Sequence, residues 1–445
     1  MCVYVPCAFP FFIFIYLFIF ALTAELRMTL FSLVVLLLSL MVWRFVRVVR
    51  GQPSSIHCGR NTPLNVCVVL GSGGHTSEMM RAIGALPLDV WRANRPFYVV
   101  SATDNHSAAL AAEFEKDHLR RCCRLITIPR AREVGQSYFL SIFTTLQALG
   151  SSLLLIISEK PDVIFVNGPG VCVPVVGAAL LVATLSPSWY YRRPGIAYME
   201  SYTCVRHISL SGRLLMPFCD VFTVQWRSLY DAFLGKWWRR NGSLFYVGVS
   251  QDAVDMPLPM AQRQTTSDAS GSEQVALVTV GSTQFVSLIK AIDDEAVFQA
   301  LARRGITRLL VQKGASAYEM RVDNTHSVTV EAFSYRPKLH EIIKDAALVI
   351  SHAGAGTILE ALECKRPLII VPNRALMSDH QLELAEALDA ARYLFCVQVG
   401  SIRQELQRLD FRKLRVFPGT NLAALREAIL PLLAAADFPA DGAEE

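Results

Sequence analysis

Two short stretches hold the residue types that handle phosphates and protons. The first is Gly71-Ser72-Gly73-Gly74-His75-Thr76-Ser77-Glu78, after the apolar run Asn65 to Leu70 and before Met79, Met80, Ile83 and Leu86 at helical spacing. The second is Ser351-His352-Ala353-Gly354-Ala355-Gly356-Thr357-Ile358-Leu359-Glu360, after Ala346 to Ile350 and before Ala361 and Leu362. Each reads as strand, glycine turn and helix. The glycines admit close backbone approach, and the unpaired N–H groups at a helix start attract an anion such as a phosphate or diphosphate. A tight turn with no ligand is the plainer use of the same pattern. His75 stands at its helix start, where it can take a proton from a hydroxyl or bind a phosphate oxygen; the positive helix end favours its neutral form. Capping the turn is its plainer use.

A further strand, Pro367 to Pro372, precedes a helix opened by Leu376-Met377-Ser378-Asp379-His380-Gln381-Leu382-Glu383. In an open parallel sheet the loops after these two strands lie at the carboxyl edge, where ligands bind. Glu360, one turn into its helix, and Gln381 can then reach a ribose or base.

The elements that must position these groups alternate regularly. Strands are expected at Phe97 to Ser101, Leu125 to Ile128, Val163 to Val166, Gly195 to Met199 and Val221 to Val224, with apolar helices at Tyr138 to Ile157 and Val171 to Leu185. The fourth of these strands ends in Glu200-Ser201, the third in Asn167-Gly168-Pro169-Gly170. Alternation of this kind is the pattern of an α/β fold with doubly wound sheets. The two apolar helices suit a core first and a bilayer surface second. Trp237-Trp238-Arg239-Arg240 suits a membrane interface or a solvated loop equally.

Asp252 to Glu273 is rich in Pro, Ser and Gln and reads as a linker. Val275 to Val280, followed by Gly281-Ser282-Thr283, restarts the scheme, and strands at Arg308 to Val311, Val328 to Val330 and Leu348 to Ile350 continue it. The expected organisation is a membrane anchor region at 1–50, a Rossmann-like domain at 60–251, the linker at 252–273 and a second Rossmann-like domain at 274–445.

The positive mean hydropathy of the 445 residues comes from the front of the chain. Cys2 to Leu22 and Phe31 to Trp43 are apolar runs split by Thr23-Ala24-Glu25-Leu26-Arg27; about twenty apolar residues span a bilayer. A membrane hairpin, a single anchor beginning at Met28 and a cleaved signal peptide all fit, the last least well because no basic region starts the run. Arg44, Arg47 and Arg50 would place the rest on the cytosolic side. Eleven scattered cysteines, without CxxC or Cys/His spacing, give neither a zinc site nor a disulfide framework, and no DxD motif follows a strand. No metal or cofactor is expected. A net charge of +5 is too mild for a nucleic-acid footprint. An NAD site would need a third glycine where Thr76 stands, and Asp104 lies farther on than that fingerprint requires.

The first half resembles the membrane-anchoring subunit of the eukaryotic UDP-N-acetylglucosamine transferase that performs the second step on dolichol. The resemblance rests on Gly71 to Thr76, Asn167 to Gly170, Tyr198-Met199-Glu200-Ser201, Leu210-Ser211-Gly212 and Val224-Gln225-Trp226. The second half resembles the catalytic, donor-binding subunit through Thr279 to Thr283, Ser351 to Glu360, Leu376-Met377 and His380 to Leu384. The two parts, usually separate chains, are fused here. Both halves are also similar to the two domains of the bacterial lipid II-forming transferase, which implies a GT-B fold of two Rossmann-like domains facing a cleft.

The resemblance implies inverting transfer of N-acetylglucosamine from UDP-GlcNAc to dolichyl-diphosphate-GlcNAc, giving the chitobiosyl lipid at the cytosolic face of the endoplasmic reticulum membrane. Other early dolichol-pathway transferases are implied partners. His352, Gly354, Ala355, Gly356 and Thr357 would cradle the diphosphate, and Glu360 and Gln381 would hold the ribose. Asn373 and His380 would line the sugar pocket, with Gly281, Ser282 and Thr283 facing it. Gly73, Gly74, Thr76, Asn167, Gly168 and Gly170 would meet the acceptor, and His75, with Glu200 behind it, would be the base. Ser282 stands where threonine is usual, and Lys313-Gly314-Ala315-Ser316 replaces a glycine-arginine-glycine stretch. The rival readings are an inactive membrane scaffold of the same fold and an NAD-dependent membrane reductase.

Overall fold

Unbroken apolar runs such as Val66 to Val69 and Val163 to Val166 can bury both faces of a strand, which parallel sheets demand. In the computed structural model they do so, at 0–1 % exposure. The structure describes residues 24–57, 62–71, 73–102, 104–131, 138–168, 170–236, 240, 242–248, 256–258, 273–281, 283–320, 328–334, 336, 339–373 and 379–433, with main chain only at 24–25, 57, 138–140 and 379–381. The run Cys2 to Leu22, Ser282, Trp237 to Arg239, most of the linker and Leu376-Met377 lie outside these, as do the side chains of His380 and Gln381.

The first sheet contains β1 (Asn65–Val69), β2 (Arg95–Ser101), β3 (Leu125–Ile128), β4 (Val163–Asn167), β5 (Gly195–Met199), β6 (Val221–Val224) and β7 (Leu244–Tyr246). All pair parallel, in the order β3-β2-β1-β4-β5-β6-β7. The second contains β8 (Val275–Thr279), β9 (Arg308–Gln312), β10 (Thr329–Phe333), β11 (Leu348–His352), β12 (Leu368–Val371) and β13 (Phe395–Cys396), also all parallel, in the order β10-β9-β8-β11-β12-β13. Helices cover both faces of each sheet.

These orders position the chemistry. In each sheet the chain winds outward from a central pair, β1 and β4 in the first and β8 and β11 in the second. Neighbouring helices at that pair leave to opposite faces, and a crevice opens at the carboxyl ends of the strands. The loops after β1 and β4 hold His75 and Asn167; those after β8 and β11 hold Gly281 and Gly354.

Three features depart from the sequence expectation. The helix Leu422–Leu433 lies far beyond the linker, yet Leu425, Ala428, Ile429, Leu432 and Leu433 are buried in the first half, against Val66, Val163 and Val221. The apolar face of that helix packs on the first sheet, although it lies within the stretch expected for the second domain. Met256–Leu258, inside the expected linker, pairs with the second half: Leu258 donates to Leu414 (2.8 Å) and is buried in its core. The helices Tyr138–Glu159 and Cys172–Leu185, alike in sequence, divide their duties. The second is nearly all buried, whereas the first buries Ala148, Ser152, Leu155 and Ile156 and exposes Ile142, Phe143, Leu146, Leu154 and Ile157.

The helix Ala24–Arg50 projects its apolar residues outward, and Leu26–Arg50 is long and apolar enough to cross a membrane. Its last turn is tied to the first half. Phe45 meets Phe218 edge-on, Val48 packs on the core, and the Arg240 guanidinium donates to the carbonyls of Val49 (2.8 Å) and Gly51 (3.2 Å). A cation at these orphan carbonyls suits the negative end of the helix.

Candidate active site

The turn after β1 is left-handed at Gly73 (φ 64°), and the helix Gly74–Gly84 starts without a side-chain cap. His75, in its first turn, lies over the main chain of Gly168 (φ 64°) after β4. A β-carbon on Gly168 would fall 2.6 Å from Cε1 and 2.9 Å from Nδ1 of that ring, so only glycine serves there. The His75 Nδ1 is 3.0 Å from the Asn167 Oδ1, and its side chain is about one-third exposed.

Two of the expected residues in this half are bonded within the fold. Thr76 is fully buried; its hydroxyl bonds the Gly71 carbonyl and the Ser107 hydroxyl (2.6 Å), tying the glycine loop to the next helix instead of facing an acceptor. Glu200 is engaged by a neighbouring loop. Its oxygens accept from the main-chain N–H groups of Ser201 (3.2 Å) and Ser209 (3.0 Å), and Gly212 leaves room for Oε2. Burial pushes its carboxyl pKa up, with those hydrogen bonds opposing. Glu200 fastens a loop. The acid near the histidine is Glu78, whose Oε2 is 3.9 Å from Nδ1 of His75. Its place three residues on, on the same helix face, was the available signal. Asp104 caps the helix Asn105–Leu119 by accepting from Ser107 (3.0 Å).

In the second half the turn after β8 is left-handed at Gly281 (φ 62°), and the Gly281 N–H donates to Thr279 Oγ1 (3.1 Å). Thr283 is exposed and bonds the Val280 carbonyl (2.7 Å). The helix Ala355–Glu363 opens at Gly354, also without a side-chain cap. His352, ending β11, packs between glycines: a β-carbon on Gly354 would come within 2.6 Å of its Nε2, and one on Gly281 within 3.0 Å of its Cε1. Burial holds its pKa below the ordinary value of 6.5, against a hydrogen bond to the Thr279 main chain. Nδ1 of His352 is buried and has no hydrogen-bond partner among the described residues. Glu360 pairs with His340 (3.2 Å), and the Asn373 amide donates to the Gln284 carbonyl (3.4 Å). Lys313, in the divergent stretch, is turned to Glu319 (2.7 Å).

The two uncapped helix starts face each other. A β-carbon on Gly74 would be 3.7 Å from the Gly356 nitrogen, and Arg81 pairs with Glu363 across the gap at 3.3 Å. A small cavity of about 40 Å³ lies below, lined by Glu78, Asn167, Glu200, Gln225 and Leu359 among others. A roomier one of about 520 Å³ opens beside Asn373, Ser287 and Asp389. Each glycine motif offers main-chain N–H groups to a phosphorylated group, and His75 stands in the first turn of one of them, with a ring nitrogen that can take a proton.

Comparison with known proteins matches two stretches of the chain to two families. Residues 66–242 match the family described as "Oligosaccharide biosynthesis protein Alg14 like", and residues 275–426 match "Glycosyltransferase family 28 C-terminal domain". The UDP-N-acetylglucosamine transferase subunit ALG14 of Candida albicans is 42% identical over 166 residues, 37% of this chain and 72% of that one. The subunit ALG13 of Homo sapiens is 42% identical over 118 residues, 26% of this chain and 10% of that one. Among solved structures, MurG of Acinetobacter baumannii superposes with a TM-score of 0.51 at 15% identity, covering 82% of this chain and 94% of that one, which shows the shared GT-B fold. The chain thus belongs to the ALG14 family of UDP-N-acetylglucosamine transferase subunits, with a region that matches the family 28 glycosyltransferase C-terminal domain behind it.

Proposed function

We propose that this chain transfers N-acetylglucosamine from UDP-GlcNAc to dolichyl-diphosphate-GlcNAc with inversion, forming the chitobiosyl lipid of N-glycan precursor assembly. The observation that carries the reading is the pair of uncapped helix starts at Gly74 and Gly356, opposed across one cleft beside His75. In this reading the donor diphosphate lies on the main-chain N–H groups from Gly354 to Thr357. As the glycosidic bond breaks, charge grows on the leaving UDP, and these fixed dipoles stabilise it. His352 and Gly281 flank the same wall. The ribose hydroxyls replace His340 on Glu360, with Gln381 beside it, and Asn373, His380, Ser282 and Thr283 surround the sugar.

The acceptor diphosphate lies toward Gly73, Gly74, Gly168 and Gly170, and its 4-hydroxyl gives up a proton to His75 as it attacks C1. The bare Nε2 takes that proton while Nδ1 stays bonded to Asn167. Membrane placement follows from the helix Ala24–Arg50 and the apolar stripe Ile142, Phe143, Leu146, Leu154. Arg44, Arg47 and Arg50 after that helix support a cytosolic side for both domains, at the endoplasmic reticulum under this reading.

The test is transfer from radiolabelled UDP-GlcNAc to a short-chain isoprenyl-diphosphate-GlcNAc by detergent-solubilised protein, with Glu360→Ala and His75→Ala as controls. Transfer that disappears in His75→Ala while UDP still binds supports the reading. UDP binding by the intact protein without any transfer would count against it and favour a scaffold.

A further inference from the structure

The group that readies His75 is not its obvious neighbour alone. Asn167 is buried at the end of β4, and its side-chain amide is bonded on both sides. Its Oδ1 lies 3.0 Å from Nδ1 of His75; its Nδ2 lies 3.2 Å from the Glu78 Oε2 and 3.4 Å from the His75 carbonyl. Glu78 is itself held. Its Oε1 accepts the Ser201 hydroxyl (2.9 Å) and the main-chain N–H of Tyr202 (3.2 Å), and the side chain is 7 % exposed.

Each link constrains the next. A carboxylate has only acceptors, and the Tyr202 N–H is a donor that cannot be reversed. Glu78 therefore demands a donor from Asn167, and Nδ2 must face it. The Oδ1 is left toward His75, which must donate through Nδ1–H. A neutral imidazole with its proton on Nδ1 has a bare lone pair on Nε2. The glycine at position 168 lets the ring lie in this position.

We propose that Glu78 is a positioning residue that acts through Asn167 to fix the Nδ1–H tautomer of His75, keeping Nε2 ready to accept a proton. The proposal rests on the reading of His75 as the base for its kinetic consequence, while the tautomer itself is independent of that reading. In the reaction the acceptor O–H proton passes to Nε2, the acceptor oxygen bonds C1, and the electron pair of the C1–O bond leaves with UDP. The imidazolium formed keeps its Nδ1–H on Asn167.

Glu78→Gln makes a specific error. The Tyr202 N–H holds the glutamine oxygen, so the glutamine NH2 is turned to Asn167. The asparagine amide then flips, presents Nδ2 to His75 and drives the proton to Nε2. Adding Asn167→Asp reverses the error, because an aspartate there accepts both from the NH2 group that the first substitution introduces and from the histidine Nδ1–H.

The experiment is two-dimensional nitrogen NMR of the full detergent-solubilised chain labelled in its nine histidines, with His75→Gln to assign the signal. It is paired with steady-state transfer kinetics and UDP binding. Expected are an Nδ1–H tautomer in the wild type and an Nε2–H tautomer in Glu78→Gln. In that variant kcat falls about 10²-fold or more with UDP affinity unchanged, as loss of a general base requires. Tautomer and at least a tenth of the activity return in Glu78→Gln with Asn167→Asp, by analogy with that same range. An Nε2–H histidine in the wild type overturns the proposal even if Glu78→Gln fails to fold. An unchanged tautomer in a folded Glu78→Gln overturns it as well. Normal transfer by His75→Ala with the tautomers as expected would sink the base assignment and leave the relay standing.

Discussion

Gly74 and Gly356 approach until a single β-carbon on the first would touch the second's main-chain nitrogen at 3.7 Å and the Ala355 side chain at 3.8 Å. The contact brings the starts of two helices, one from each half, to the same point. One methyl group fits there by ordinary van der Waals contact. Gly74→Ala should leave transfer near the wild-type rate, whereas Gly74→Leu should wedge the helix starts apart and lower kcat/KM about 10²-fold through misalignment. Steady-state kinetics on the pair checks this, and equal rates for both variants would show that the gap is not part of the working site.

Gly168→Ala should strike the histidine rather than the donor. The left-handed main chain costs an L-residue about 1–2 kcal/mol, and the new methyl displaces the His75 ring. Transfer should drop about 10²-fold while UDP binding, on the opposite wall, stays unchanged. Isothermal titration with UDP beside the transfer assay separates the two effects.

Glu200→Gln should act on stability. A glutamine NH2 must oppose one of the Ser201 and Ser209 N–H groups, at a cost of about 1–3 kcal/mol. Because burial raises the carboxyl pKa from 4.5, the stability Glu200 contributes is full below that value and is lost as pH rises through the folded-state pKa. The deficit of the variant should therefore narrow as pH rises, in denaturant titrations across a pH series. The shape of the transfer pH profile should not change. A shifted profile would return Glu200 to the catalytic group.

His352 works in the opposite sense. Burial depresses its pKa below 6.5, so its contribution to stability is present above 6.5 and lost as pH falls through the folded-state value. His352→Asn should flatten the stability curve in that acidic window. Thermal melts at several pH values in the absence of UDP measure the slope, and an unaltered slope would contradict the assignment.

Ile429→Ala should destabilise the first half by about 2–5 kcal/mol, because the side chain is 1 % exposed in that half's core. Urea unfolding followed through Trp91, buried in the same cluster, reports on the correct half. A loss confined to the second half would mean that the helix Leu422–Leu433 belongs with its neighbours in sequence after all.

How much of this was legible depends on the range of the interactions involved. Strand, glycine turn and helix are encoded within about fifteen residues by apolar periodicity and glycine, so β1 with Gly73 and β11 with Gly354 could be read directly, as could the alternation that makes both sheets parallel. Family-specific motifs extended that reading to the fold and the class of reaction. The inward turn of Thr76, the capture of Glu200 by Ser209 and the return of the helix Leu422–Leu433 were not legible. Each depends on which of several chemically equal surfaces a side chain meets. The meeting of His75 with Asn167, 92 residues apart, was decided by strand order alone: β1 and β4 are neighbours at the point where the winding reverses. Sequence by itself determined that a histidine would stand at a helix start beside glycines. Only the tertiary structure decided which side chains would lie beside it, because a hydrogen bond is set by a few tenths of an ångström, and local periodicity cannot specify distances across a fold.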